Sequence, residues 1–268
     1  MRVATFLLVA GLASAFPGAR ADDPAKGWEF VGRTEATATA DVRPRVSGAV
    51  VRVAVRDGAT VAKGDLLVEI DPRAYQLDLD GAKARLRGAE TRLESARATA
   101  ANTRRLVQTK VVGQGELDLN AAAEAGAEAA LRAARVDVER AELTLSWTRV
   151  TASFAGRVSR VQAAEGGVVA ADQAPLLRVA AADPMYVTFN VPEGILLQLR
   201  RDGLADPGKL AVAVGFALDN GTPHEAKLDA IEPEVDPRTG TTRFRATVPN
   251  PKGLLVPGLS ARVRLTAR

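Results

Sequence analysis

Between residues 47 and 70 the chain reads SGAVVRVAVRDGATVAKGDLLVEI. Valines alternate with polar or small residues, and Asp57-Gly58 supplies a turn, so the pattern predicts short half-buried strands. The same pattern returns at 155–179 as AGRVSRVQAAEGGVVAADQAPLLRV, with Glu165-Gly166-Gly167 at the turn. An offset of 108 aligns Gly48 with Gly156, Val50 with Val158, Arg52 with Arg160, Val53 with Val161, Gly58 with Gly166 and Val61 with Val169. One inserted residue then aligns Leu67 with Leu176 and Ile70 with Val179. Each copy reads as about four short strands, which alone bury too little to be stable. Two copies facing one another bury both apolar faces, which predicts a twofold sandwich with halves at 43–71 and 148–180.

The stretch between the copies, 72–147, has a different period. From Pro72 to about Thr109 it has no internal proline and is rich in Ala, Arg, Leu and Glu, a strong helical composition, and Asp71-Pro72 forms an N-cap and first-turn pair. Leu79, Leu86, Leu93, Ala100 and Val107 recur every seven residues, with Ala82, Ala89, Ala96 and Thr103 three places behind each. That is a heptad seam of alternating large and small layers. VVGQGELD breaks it with Gly113 and Gly115. A second helix, Glu116 to Trp147, then carries Leu117, Leu131, Val138 and Leu145 on the same period, with Ala127, Ala134 and Ala141 between them. Glu124 is the one charged residue on that seam. Two helices joined by a short turn run antiparallel, and alanine layers let them approach closely. Each reaches on the order of 50 Å at about 1.5 Å per residue. One chain supplies both helices, so the seam is satisfied internally and the tip is left to touch something distant.

After AADP at 181–184, MYVTFNVP alternates as a strand and EGILLQLRRDG reads as a short amphipathic helix begun by Pro192-Glu193. Strand-like segments follow near 210–216, 225–231, 241–248 and 259–265, with turns at DNGTP, DPRTG and NPKGLLVPG. Short antiparallel strands at this spacing predict a small barrel over 181–268, completed by a first strand from 28–42. The expected fold is mainly β with a long α-helical hairpin.

Composition then narrows the function. With 47% apolar residues in 268, the chain fills ordinary cores and is not disordered. Residues 1–21 have Arg2, an apolar run from about Val3 to Phe16 and small residues at Ala19 and Ala21, which is the form of a secretory signal peptide. The run is well short of the roughly 20 residues that span a bilayer. With no cysteine, disulfides, thiolate metal sites and a lipidated cysteine are excluded, so the expectation is an exported protein with no lipid anchor. Removing Arg2 and Arg20 leaves 34 basic against 32 acidic residues and no basic block, which excludes nucleic acid as a partner.

Chemistry is sparse. His224 is the only histidine and Met185 the only methionine after residue 1, too few ligands for a metal site or relay. Asp57, Asp65, Asp71 and Asp236 stand in turns or caps, where carboxylates serve backbone N–H groups. Trp147 reads as packing at the hairpin base, and Gly113 and Gly115 follow no strand, so they cradle no phosphate. The sequence implies no cofactor, no metal and no enzyme activity.

The duplicated sandwich resembles the biotinyl/lipoyl domain, giving a split lipoyl-like β-sandwich plus a small antiparallel β-barrel. A carrier of that fold presents its modified lysine on a hairpin between the halves. Here the nearby lysines, Lys63 and Lys83, lie within a half and on the predicted helix. The whole nested order resembles the periplasmic adaptor subunits, or membrane fusion proteins of the HlyD-like family, of resistance-nodulation-division (RND) tripartite efflux pumps. The matching stretches are GRTEA (32–36), VRPRVSGAV (42–50), the run from Val55 to Pro72, LTLSWTRV (143–150), DPMYV (183–187), and the series from Asp236 through VPNP to LVPGL, ending at Leu259.

That resemblance implies a periplasmic protein, peripheral to the inner membrane, that joins an inner-membrane efflux transporter to an outer-membrane channel protein as a homo-oligomeric ring. It also implies that the hairpin tip docks on the channel through an Arg, a Leu and a Ser. Leu106 stands at the leucine position, while Asn102 and Gly113 stand where the arginine and serine are usual. Arg104 or Arg105 then substitutes by a shift of one turn, and Lys110 and Val112 complete the tip. The further membrane-proximal domain usual in the family is expected to be missing. Pump contact is therefore expected on the barrel, near Pro257 and Gly258. The alternatives are an adaptor of an ABC-type exporter and, in a different class, a biotinyl/lipoyl-like carrier component.

Overall fold

The computed structural model describes residues 27–268, which form two compact units. The signal peptide expected at 1–21 lies outside the described residues.

One unit is a closed six-stranded barrel. Its strands are β1 (Trp28–Ala36), β10 (Met185–Pro192), β11 (Leu210–Gly215), β12 (His224–Ile231), β13 (Thr241–Val248) and β14 (Ser260–Ala267), in the order β1-β10-β13-β12-β11-β14. Alternation does the sorting: Met185, Val187, Phe189 and Val191 of β10, and Thr242, Phe244, Ala246 and Val248 of β13, point inward and are buried. Phe189 lies opposite Phe244 in the register, and their rings meet at 5.7 Å. Helix α3 (Glu193–Arg201) buries Leu196 and Leu199 in the same core.

The second unit holds the sandwich and the hairpin. The sandwich strands are β2 (Thr39–Val42), β3 (Gly48–Val53), β4 (Thr60–Val61), β5 (Leu66–Ile70), β6 (Arg149–Thr151), β7 (Gly156–Val161), β8 (Val168–Val169) and β9 (Leu177–Ala180). They form two sheets, β2-β9-β7-β4 and β6-β5-β3-β8. The two copies therefore do not face each other as separate halves, because each sheet takes two strands from each copy. The exchange is made by β4 and β8, which pair across the repeat: Gly48 opposes Val169, and its counterpart Gly156 opposes Val61.

The twofold extends to single hydrogen bonds. Gly58 N–H donates to Val158 O at 2.9 Å, and Gly166 N–H to Val50 O at 2.8 Å. Val161 N–H donates to the Asp57 carboxylate at 2.7 Å, and its counterpart Val53 N–H to the Glu165 carboxylate at 3.0 Å. Gly156 is required by close approach: a Cβ there would strike the Ala180 carbonyl. Val50, Leu67, Val68, Val158, Leu176 and Val179 fill the core.

The stretch 28–42 reads as one strand in sequence but forms two. Its first part, β1, belongs to the barrel, where Trp28 and Thr34 are buried. After a bend at Thr37, β2 pairs with β9 and Asp41 binds Arg178 at 2.6 Å. Val42 opposes Leu177 just as Val150 opposes Val68, so the repeat already starts at these two valines.

Helices α1 (Arg73–Gln108) and α2 (Gln114–Ser146) form the antiparallel hairpin. α1 alone is about 54 Å long at 1.5 Å per residue. Buried along it are Leu79, Ala82, Ala89, Leu93, Ala100 and Thr103, facing Leu131 and Ala134 of α2. Glu124 interrupts the apolar seam and is answered from α1, by Arg104 at 3.0 Å and Arg97 at 3.6 Å. Next to it Asn120 donates to the Thr103 hydroxyl at 3.0 Å. No helix among the described residues is long and apolar enough to cross a membrane.

Candidate functional site

The tip begins where α1 stops. Val111 N–H donates to Leu106 O and Lys110 N–H to Val107 O, both at 2.9 Å, while Lys110 itself is left-handed with φ 60°. This is a Schellman ending, which satisfies carbonyls that the last turn leaves open. The sequence pointed to Gly113 and Gly115 as the helix breakers, but the residue that makes the turn is a lysine. Gly113 has φ −84° and ψ 163° as the N-cap of α2, a conformation open to any residue, and Gly115 lies inside the first turn of α2.

The predicted tip residues are brought together within this one bend, though not all face outward. Leu106 is 42% exposed and, with Val111 at 68%, leaves an apolar pair in water. Lys110 and Gly113 are exposed, and Val112 is half-buried. Arg104 turns back to Glu124, and Arg105 donates to the Asn102 side chain. The sequence reading missed Val111, and it marked Glu124 as the charge on the seam without its partners. Glu124 was legible as a misfit on the seam that demanded a cation from the facing helix.

Pro257 and Gly258 sit in a barrel loop fastened by buried Thr34. The Thr34 hydroxyl donates to Val256 O at 2.7 Å and accepts from Leu259 N–H at 2.9 Å, and Gly258 N–H donates to Thr34 O at 2.8 Å. Gly258 has φ 96°, which favours glycine. The loop holds Leu254, Val256 and Leu259 partly or largely exposed.

Residues 38–180 match the barrel-sandwich hybrid domain of RND membrane fusion proteins, and residues 184–268 match the CusB-like β-barrel domain. The chain belongs to the RND membrane fusion protein family. Among curated relatives, it is 34% identical over 243 residues to the multidrug export protein AcrE of Escherichia coli K12, covering 88% of this chain and 63% of that protein. It is 33% identical over 244 residues to the multidrug efflux pump subunit AcrA of the same strain, covering 88% and 61%. The chain thus spans about three fifths of the length of these relatives. A solved chimera of MacA carrying the MexA α-hairpin domain of Pseudomonas aeruginosa superposes with a TM-score of 0.66 at 26% identity, covering 91% of this chain and 82% of that one. The expected fold class, mainly β with a helical hairpin in a split sandwich, is the one the family and the coordinates share.

Elsewhere in this membrane fusion protein the polar residues have structural work. Asp65, Asp71 and Asp236 accept backbone N–H groups of Ala62, Arg73 and Arg238 at 2.8, 3.0 and 2.9 Å. Asp71 is also gripped by the Arg73 guanidinium, at 2.6 Å, and these bonds hold its carboxyl down to about 2. His224 is exposed on β12, 3.0 Å from Asp219 and tilted against Phe216. Trp147 caps α2 half-buried under Arg45, whose guanidinium stands 5.7 Å from the ring. Among the described residues no cluster of three or more His, Asp or Glu is placed to hold a metal ion. Membrane fusion proteins are non-enzymatic structural linkers.

Proposed function

We propose that this chain is the periplasmic adaptor of an RND tripartite efflux pump, joining an inner-membrane transporter to an outer-membrane channel in the export of small molecules. It reaches the periplasm through the signal peptide at 1–21 and assembles there as a homo-oligomeric ring. The hairpin tip, through Arg104, Arg105, Leu106, Lys110, Val112 and Gly113, docks on the channel. The barrel loop at Pro257 and Gly258 faces the pump.

The observation that carries this reading is the apolar pair Leu106 and Val111, left in water at the end of a helical pair about 50 Å long. Exposed apolar groups beside a lysine suit a protein partner and serve no purpose in the hairpin's own packing. The test is Leu106→Asp in a strain whose own adaptor has been deleted. Drug susceptibility is expected to rise to that of the deletion strain, while the amount and unfolding temperature of the protein stay unchanged. Full resistance in the mutant would reject tip docking.

A further inference from the structure

The loop between β11 and β12 contains Leu218-Asp219-Asn220-Gly221. An Asn-Gly pair is chemically labile, because the glycine nitrogen can attack the asparagine carboxamide and no side chain on the glycine stands in the way. In sequence the same hazard attaches to Asp57-Gly58, Asp80-Gly81 and Asp202-Gly203. The structure separates these four pairs.

Folding protects such a pair when it ties up the two groups that must meet, the side-chain carbonyl and the following N–H. Gly58 N–H donates to Val158 O at 2.9 Å, and the Asp57 carboxylate accepts the Val161 N–H. Gly81 lies inside α1, and Gly203 N–H donates to Arg200 O at 3.2 Å. At the remaining pair neither group is held: the exposed Asn220 carboxamide and the Gly221 N–H have no partner among the described residues. The other asparagines are poor candidates. Asn102 and Asn120 lie within helices and bond Arg105 and Thr103, Asn190 precedes Val191 within β10, and Asn250 precedes Pro251, which has no N–H.

The flanks of the free pair are fixed. The Asp219 carboxylate accepts the Phe216 N–H at 2.7 Å and stands 3.0 Å from His224, while Arg262 donates to the Asp219 carbonyl at 2.9 Å. On the other side the Gly221 carbonyl crosses so close to Gly215 that a Cβ there would strike it. Gly221 itself is left-handed, with φ 82°.

We infer that Asn220 is a modification site, converted spontaneously to aspartate and isoaspartate. The Gly221 nitrogen, its proton taken by hydroxide, bonds to Asn220 Cγ, and the Cγ–Nδ2 bond breaks to release ammonia, which recovers a proton from water. The resulting succinimide takes up water. Opening at Cγ gives aspartate, and opening at the backbone carbonyl gives isoaspartate, with the chain running through Cβ and Cγ. Either product adds a negative charge beside Asp219, and isoaspartate also lengthens the loop by a methylene. The lengthening displaces the Gly221 carbonyl from its tight crossing at Gly215, so the end of the β11–β12 pair loosens. The reaction needs no partner, and its outcome is independent of the adaptor reading.

The test holds full-length protein in warm, mildly alkaline buffer, folded and in denaturant, and maps its peptides by mass and chromatography over time. The peptide containing Asn220 is expected to gain the mass of water less that of ammonia, to split into two products, and to convert about as fast folded as unfolded. Isomerisation at Asp57-Gly58 is expected to be slowed by folding at least about tenfold. If folding slows both pairs alike, the proposal is overturned. Asn220→Gln closes only a larger, less favoured ring and is expected to keep its loop peptide unmodified; the same mass gain in that variant also overturns it.

Hydrogen exchange then reads the consequence. Residues 213–226 are expected to exchange roughly threefold faster in aged wild type than in fresh protein, with no change in aged Asn220→Gln or in the hairpin helices. Unchanged exchange after conversion overturns the loosening. Asn220→Asp carries the charge without the added methylene and is expected to exchange like fresh wild type; exchange as fast as in aged protein overturns backbone lengthening as the cause.

Discussion

In the barrel, Phe189, Phe244, Leu210 and Leu265 are at most 2% exposed, and six strands close around them. In the hairpin, Leu93 and Leu131 sit among alanines in a seam one side chain wide, while Leu77, Leu119 and Val136 stay in water. The barrel gains its stability from three-dimensional packing around a closed core, and exposed apolar side chains such as Leu218 and Leu254 lie in its loops. The hairpin draws on backbone hydrogen bonds, helix propensity and a narrow stripe, and keeps much of its apolar surface outside. A helix pair built this way is stiff along its axis and carries surfaces that only partners can bury.

The sharpest way to break this contrast is to empty each core. Phe244→Ala is expected to destabilise the barrel by about 3–5 kcal/mol, because the surrounding strands cannot collapse into the space. Leu93→Ala in the hairpin is expected to lose about 2–3 kcal/mol, since the neighbouring helix can close in. The tryptophans make the comparison readable, for Trp28 lies in the barrel core and Trp147 at the end of α2. In a Trp147→Phe background, Trp28 fluorescence follows denaturant unfolding of the barrel, and ellipticity at the helical wavelength follows the hairpin. Equal midpoint shifts in both signals for either variant would mean that the two units unfold as one.

A smaller effect probes the sandwich, where neither description applies alone. Its two copies are stitched by Asp57 and Glu165, each binding a backbone N–H of the other copy. Glu165→Ala is expected to cost about 1 kcal/mol, the net worth of one such bond near the surface. Asp57→Ala should cost a similar amount, and a double variant should show whether the twofold is energetically as well as geometrically equal.

Much of this was legible in the sequence because it rests on periodicity. The heptads located the seam, valine alternation located the sandwich and barrel strands, and the offset of 108 paired residues that the structure relates by its twofold. What escaped was set by distant partners. Strands β4 and β8 have two residues each, too few to show a period, so their exchange between copies left no trace. β2 follows β1 with no local signal that it changes unit. At the tip, the positions of Arg104 and Arg105 were legible but their bonds to Glu124 and Asn102 were not, since those depend on where neighbouring side chains point. Glycines suggested the turn, whereas backbone bonding selected Lys110.

That substitution of lysine for glycine gives a further test of how lightly the hairpin end is held. A side chain in the left-handed region is penalised against the following carbonyl, and glycine is not. Lys110→Gly is therefore expected to stabilise the hairpin by about 0.5–1 kcal/mol, the steric relief being partly offset by glycine's greater freedom when unfolded. Thermal melting at the helical wavelength measures it, and a loss of stability would show that the lysine side chain makes a compensating contact.

The smallest effect lies at the opposite end of α1 and is best seen through pH. Asp71 accepts the Arg73 guanidinium and backbone N–H, which lower its carboxyl to about 2. In the unfolded chain it titrates near the ordinary aspartate value of about 3.9. A depressed carboxyl stabilises the fold while it is ionised, so its contribution is complete above about pH 4 and fades as pH falls toward 2. Asp71→Asn should accordingly lower stability slightly at neutral pH and flatten the acid limb of the hairpin's unfolding curve between those values. Because the pair stands in solvent, added salt should shrink the difference between wild type and variant. A difference that persists at about pH 1, where both side chains are largely uncharged, would instead assign the effect to the shape of the cap rather than to its charge.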